Sequence, residues 1–282
     1  MSQLRVGLVQ FTAGDDPAAN TAKLEKLVNK AAEGGAQFVL TPEVSNIISN
    51  SRSHQQRVLS GQGDDPTLHT MQALARDREI WLLIGSLALK PDGADDRFLN
   101  RSFLISPEGG IAAHYDKIHM FDVALGGGEN YRESAQFQPG NRAVLAKTDI
   151  GNIGLTICYD LRFPRLHRAL AKAGAEIITA PAAFTVPTGK VHWHTLLKAR
   201  AIETGCFILA PAQTGQHSEK RHTYGHSLVV SPWGEVLGDG GQGEGVTFAE
   251  LDLKLVAKAR GKIPALTHDR EFRPPDEHKT KQ

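Results

Sequence analysis

Residues 152–174 read NIGLTICYDLRFPRLHRALAKAG, and the reading of this stretch decides the fold. Residues 153–157 are small and apolar, the pattern of a short buried strand. Pro164 then opens a helix with Leu166, Ala169, Leu170 and Ala173 on one face, and Gly174 ends it. Proline is tolerated in a first helical turn because its missing N–H would be unpaired there anyway. Between strand and helix stands Cys158, in a bend with Tyr159 and Asp160. Backbone N–H groups near a helix start are free to meet a developing negative charge, so the bend suits a nucleophile. The competing reading of Cys158 is a small buried residue that closes a strand.

The same strand-and-helix grammar appears at the start of the chain. Residues 4–11 read as an interior strand, and Asp16-Pro17 as a helix start. Leu24, Leu27, Val28 and Ala31 repeat at helical spacing before Gly34-Gly35. Residues 36–41 form a second strand that ends in Pro42-Glu43, which predicts a βαβ unit with parallel strands. Glu43 thus falls at the carboxyl end of a strand, where open α/β sheets carry their chemistry. An exposed loop glutamate is the plainer reading of that one position.

Residues 45–65 are polar and read as a surface excursion without an element. Residues 66–78 suit a helix carrying Leu68, Met71, Leu74 and Ala75, and residues 80–88 a strand. A turn at 91–96, a strand at 98–105 and the turn Pro107-Glu108-Gly109-Gly110 into 111–115 predict antiparallel pairing, hence a mixed sheet. Lys117 lies just past that last strand. Residues 121–142 read as a long irregular segment, a kind of loop that is usually functional or disordered. Its Gly126-Gly127-Gly128 is not a phosphate loop, since no strand precedes it and no helix follows.

After the Cys158 unit come a strand at 175–180, a loop at 181–189 and a helix at 190–204 with Trp193, Leu196, Leu197 and Ala201 on one face. Residues 206–211 form a strand in which Cys206 is a packing residue. Residues 224–231 and 235–237 pair around Pro232-Trp233-Gly234, and 246–251 is a late strand. The halves mirror each other, which predicts a core of two sheets with helices outside. The expected organisation is one domain over residues 1–270 with a charged tail at 271–282.

A formal net charge of +1 argues against nucleic acid or a membrane surface as a partner held by bulk electrostatics. No apolar run approaches bilayer length, and residues 1–11 read as a strand rather than an export signal. Two cysteines without CxxC spacing fit a cytoplasmic protein with reduced thiols.

Three strand ends therefore carry a carboxylate (Glu43), a cation (Lys117) and a thiol (Cys158). Amide hydrolysis needs a nucleophile, a group that takes and returns its proton, and a positive group facing the oxyanion. A free thiol has a pKa of about 8.5 and needs a base or cation beside it at neutral pH.

The segments FVLTPE (38–43), HYDKIHMFDV (114–123) and LTICYDLRFP (155–164) resemble the three signature blocks of the nitrilase, or carbon–nitrogen hydrolase, superfamily. The resemblance runs from about Leu4 to about Leu266. It implies an α/β fold, a four-layer αββα sandwich of two mixed β-sheets flanked by helices, and a Glu–Lys–Cys triad at Glu43, Lys117 and Cys158. A second active-site glutamate maps to Glu133 in YRES, preferred over Glu129 because Arg132 and Ser134 also fit. Residues 192–236 are similar to the deaminated glutathione amidase branch, and QTGQHSEKRHTYGHS is the telling portion. ALGGGENY, richer in glycine than that branch, is the departure.

The activity implied is hydrolysis of a small-molecule amide through a cysteine thioester, from deaminated glutathione to 2-oxoglutarate and cysteinylglycine. The backbone N–H of Tyr159 would join Lys117 at the oxyanion. An anionic substrate calls for a cation at the rim, with Arg162, Arg132 and His192 as candidates. Neither a metal nor an organic cofactor is implied, and a homodimer or higher homo-oligomer is. On the same scaffold the alternatives are an omega-amidase for 2-oxoglutaramate-type keto-acid amides, an N-carbamoyl amino-acid hydrolase and a nitrilase. From other classes come a non-catalytic binding protein and a zinc hydrolase using His192, His194 and one of His217, His222 or His226. His-x-His on a helix points its two rings to different faces, which counts against zinc.

Overall fold

The computed structural model describes residues 3–93, 95–126 and 129–274, without side chains at 125 and 129. The first sheet uses β1 (Gln3–Gln10), β2 (Phe38–Leu40), β3 (Trp81–Leu89), β4 (Phe98–Ile105) and β5 (Ile111–Asp116) in that spatial order. β1, β2 and β3 are parallel, while β4 and β5 return antiparallel. A hairpin of β6 (Asp122–Gly126) and β7 (Glu129–Arg132) follows, and the short β8 (Phe137–Gln138) adds to β4. The second sheet holds β9 (Val144–Thr148), β10 (Gly151–Leu155), β11 (Ile177–Thr179) and β12 (Phe207–Ala210), the last three parallel. A separate hairpin, β13 (Thr214–Ser218) with β14 (Arg221–Tyr224), precedes β15 (Leu228–Val230) and β16 (Val236–Asp239), which complete that sheet. The last strand, β17 (Gly245–Asp252), returns to the first sheet and pairs antiparallel with β1 along its whole length.

The helices are α1 (Pro17–Glu33), α2 (Arg52–Val58), α3 (Pro66–Arg78), α4 (Pro164–Lys172), α5 (Val186–Thr204) and α6 (Lys254–Lys262). Side-chain alternation along the strands sets the layers. Leu4, Val6, Leu8, Phe38, Leu40 and Leu83 join Ile153, Leu155, Ile177 and Ile208 in one buried cluster, so the two sheets pack face to face. Their neighbours Val39, Leu82 and Ile84 face the other way and join Leu24, Val28 and Met71 of α1 and α3. On the far side Leu166, Leu170, Trp193 and Leu197 of α4 and α5 cover the second sheet. The result is the four-layer αββα sandwich expected from the resemblance. Among the described residues, no helix is long and apolar enough to cross a membrane.

Four local expectations are corrected. Residues 45–65 contain α2, which has no apolar stripe and buries only Gln55; Ser51 caps it by accepting from the His54 N–H at 3.2 Å. The segment 121–142 is not irregular but holds the β6–β7 hairpin and β8. Residues 214–223, given no element in the sequence reading, form the β13–β14 hairpin together with Tyr224. α5 starts at Val186 rather than residue 190, and its early turn includes Gly189 because the Tyr224 ring occupies the place of a Cβ there, 2.3 Å away. Gly127 and Gly128, the side chain of Glu129 and the tail from residue 275 lie outside the described residues.

Candidate active site

Glu43 follows β2, Lys117 follows β5 and Cys158 follows β10, so the first two descend from one sheet and the thiol from the other. The loop that holds Glu43 is pressed against β3. A Cβ on Gly85 would lie 2.0 Å from the Thr41 carbonyl oxygen and 2.5 Å from that of Pro42, so only glycine permits this approach. Gln213 Nε2 donates to the Glu43 carbonyl at 3.0 Å, and the N–H of Ala183 donates to Glu43 Oε2 at 2.9 Å. Residues following the second sheet thus grip an acid that belongs to the first.

Cys158 opens a single helical turn, Cys158–Arg162, and takes φ +49°, a left-handed conformation costly for any residue but glycine. Two anchors hold it. Its N–H donates to the Pro181 carbonyl at 2.8 Å. The fully buried Asp160 accepts from the Ile157 N–H at 2.9 Å, from Tyr115 Oη at 2.7 Å and from the His119 N–H at 3.1 Å. Burial and the Asp160 charge push the Tyr115 phenol far up, so it remains a donor. The N–H of Tyr159 stands in the first turn, where no helical carbonyl precedes it.

Lys117 Nζ is buried between two carboxylates, 2.8 Å from Glu43 Oε1 and 2.8 Å and 2.9 Å from the two oxygens of Glu133. Glu133 is steadied by its own hairpin, accepting the Phe121 N–H at 2.6 Å. Burial alone would lower the Lys117 ammonium, but the charges of Glu133 and Glu43 outweigh it and hold the group well above its ordinary value. Burial would likewise raise Glu43, and Lys117 overcomes this, leaving the carboxyl below its ordinary value. Burial, followed by the charge of the neighbouring Glu43, pushes the Cys158 thiol well above the ordinary thiol range. The resting arrangement is therefore ammonium, two carboxylates and a neutral thiol. Such a thiol becomes a nucleophile when Glu43 takes its proton.

Of these groups Glu43, Glu133 and Cys158, together with Tyr159, line a cavity of about 310 Å³. Arg132 lines it from the exposed end of β7. Arg162 and His192, expected at the rim, are not among the residues that line the cavity. The Arg162 guanidinium lies 5.9 Å from the Tyr159 ring and 5.4 Å from the Phe184 ring, and its nitrogens meet His192 Nδ1 at 3.4 Å. Arg162 thus sits behind the aromatic wall, with His192 exposed beyond it.

Three cavity residues escaped the sequence reading. Asn100 of β4 donates from Nδ2 to Glu43 Oε1 at 3.0 Å and to Glu133 Oε1 at 3.3 Å. Gln55 of α2 and Arg221 of β14 also line the cavity. Asn100 Oδ1, Gln55 Oε1 and Arg221 Nε are buried without a hydrogen-bond partner among the described residues. Only the last had a signal, since Arg221 falls within the telling QTGQHSEKRHTYGHS segment.

The histidines of the zinc reading do not gather at this cavity. His194 and His226 converge on Asp239, at 2.9 Å each, as a hydrogen-bonded tie between α5 and β16. These three could hold a cation, yet none of them lines the cavity beside Cys158. His217 instead bonds the Ala13 carbonyl and Thr223.

A profile of the carbon–nitrogen hydrolase family matches residues 5–261. A deaminated glutathione amidase of Yersinia enterocolitica is 38% identical over 271 residues, 96% of this chain and 94% of its own length. The crystal structure of Saccharomyces cerevisiae Nit3, a member of branch 10 of the nitrilase superfamily, aligns with TM-score 0.85 and 28% identity, covering 96% of this chain and 97% of that one. An amidase of Nesterenkonia sp. AN1, with covalent addition at its active-site cysteine, aligns with TM-score 0.77 and 26% identity over 93% of this chain and 95% of that one. Fold, site geometry and kinship agree, and the chain belongs to the carbon–nitrogen hydrolase family.

Proposed function

We propose that this carbon–nitrogen hydrolase is a deaminated glutathione amidase that releases 2-oxoglutarate and cysteinylglycine. The observation that carries the chemistry is Cys158 and Glu43 on the wall of one cavity, with Lys117 Nζ 2.8 Å from Glu43 Oε1. The amide class follows from family membership. The choice of amide rests on similarity to curated deaminated glutathione amidases such as that of Yersinia enterocolitica.

In the proposed reaction Cys158 Sγ bonds to the amide carbonyl carbon while its proton passes to Glu43. The carbonyl oxygen, now negative, faces the Lys117 ammonium and the Tyr159 N–H. Collapse breaks the C–N bond, and Glu43 returns its proton to the leaving amine. A thioester remains on Cys158. Water, losing its proton to Glu43, adds to that thioester, and collapse restores the thiol. Glu133 keeps Lys117 charged and in place, at 2.8 Å.

The test is a comparison of kcat/KM on deaminated glutathione, 2-oxoglutaramate, an N-carbamoyl amino acid and a simple nitrile. The highest value is expected on deaminated glutathione. A higher value on 2-oxoglutaramate would move the chain to the omega-amidase reading.

Assembly as at least a homodimer belongs to this proposal. It is supported by Val191 and Ile202, 64% and 58% exposed on α5. Light scattering of the eluting protein checks it, and a monomer at micromolar concentration rejects it.

A further inference from the structure

Among the described residues, the charged side chains on the cavity wall are Glu43, Glu133, Arg132 and Arg221. The two glutamates are already engaged by Lys117. Arg132 is exposed and free to pair with water. Arg221 is different. It is half-buried at the start of β14, and among the described residues it has no ion-pair partner. Its Nη2 reaches the Ala183 carbonyl at 3.3 Å, and its guanidinium lies 5.3 Å over the Tyr131 ring. Its Nε is buried with no hydrogen-bond partner among the described residues.

A buried charged N–H without an acceptor is costly unless a ligand completes it. The acceptor that fits a guanidinium edge is a carboxylate, bound through two parallel N–H···O contacts. Position adds to the argument. Arg221 touches Ala183 through its carbonyl, and the N–H of that same residue donates to Glu43 Oε2 at 2.9 Å. The guanidinium is therefore joined to the proton-transferring carboxylate through a single residue, and it lines the same cavity as Cys158. Lys117, Glu43 and Glu133 together carry excess negative charge, which would repel an anionic acyl group without a second cation across the cavity.

We propose that Arg221 is the carboxylate-binding residue of the cavity, taking the far carboxylate of the acyl group, so that the enzyme selects amides of short dicarboxylic acids over neutral amides. The identity of that acyl group as 2-oxoglutaryl rests on the functional reading above; the selection for a carboxylate does not.

The experiment compares Arg221→Gln and Arg221→Lys with the unaltered enzyme on 2-oxoglutaramate and on butyramide, which has no carboxylate. In Arg221→Gln the preference for 2-oxoglutaramate, as a ratio of kcat/KM values, should fall about a hundredfold, chiefly through KM, and Arg221→Lys should recover part of it. Equal losses on both amides, or an unchanged ratio, overturn the proposal. A readout independent of turnover is protection of Cys158 from iodoacetamide by 2-oxoglutarate. Protection in the unaltered protein that weakens at least tenfold in both variants supports the assignment, and undiminished protection rejects it. Unaltered enzyme that takes 2-oxoglutaramate but ignores deaminated glutathione would sink the substrate reading alone and leave the Arg221 comparison standing.

Discussion

Asn100 Nδ2 lies 3.0 Å from Glu43 Oε1, and so the acid at the centre of the site is held by a neutral donor as well as by Lys117. The same nitrogen reaches Glu133 at 3.3 Å, which makes Asn100 the strap between two carboxylates. Replacing it with alanine should cost about 1–3 kcal/mol of stability, the price of leaving buried acceptors short of a donor. Asn100→Asp adds a third carboxylate and should move the acid limb of the kcat/KM profile to higher pH. Thermal midpoints and pH–rate profiles check both, and an unmoved limb in Asn100→Asp would contradict the role given to this contact.

Cys158→Ala should retain the fold and lose turnover by at least ~10³-fold, as expected when a nucleophile that works in concert with its base is removed. Cys158→Ser should be equally inactive, since its hydroxyl is far less acidic. Product release and near-ultraviolet circular dichroism report the two halves of the expectation. Residual activity near that of the unaltered enzyme would end the thioester mechanism.

Lys117→Ala removes the cation between Glu43 and Glu133 and leaves buried negative charge without compensation. A stability loss of about 3–5 kcal/mol is expected from breaking such a pair. Turnover should fall at least the ~10²-fold typical of one oxyanion donor. Lys117→Met refills the volume and should recover part of the stability but none of the activity, as read by urea unfolding and initial rates.

The pH dependence of stability follows from groups held away from their ordinary pKa. Burial keeps His167 and His217 neutral, with pKa values lowered from 6.5 to about 4. The unfolded chain gains protons there first, so stability falls as pH drops from 6.5 towards 4, by about 3 kcal/mol for His167 alone. Glu43 is depressed below 4.5, and its contribution is present above that value and lost as pH falls through the folded one. On the alkaline side Lys117 is raised, and its contribution declines only above 10.5. Cys158 is raised above 9.0, so the unfolded thiol ionises first and stability declines beyond pH 9. Urea midpoints should therefore plateau between pH 6.5 and 9, and His167→Gln should shallow the acid slope. An acid slope unchanged in that variant would count against this account.

The fold was legible where a stretch carried its own period: the βαβ unit before Glu43 and the strand–bend–helix around Cys158. Glu43, Lys117, Cys158 and Glu133 were readable because three of them end strands and the fourth lies in a recognisable block. Asn100 was not, because a polar residue in a half-buried strand reads the same whether it faces water or an active site. Gln55 was hidden in α2, whose polar composition offers no apolar stripe to detect. Arg162 and His192 were chosen for charge and nearness in sequence, and charge does not say which way a guanidinium turns.

β17 is the last strand made and it pairs with β1, the first. The sheet bearing Glu43 and Lys117 is thus left unfinished until about residue 252 has emerged, although Cys158 has been synthesised long before. The sulfur meets its base only when both sheets dock. A chain whose two sheets have not docked therefore keeps the thiol apart from the carboxylate that would take its proton.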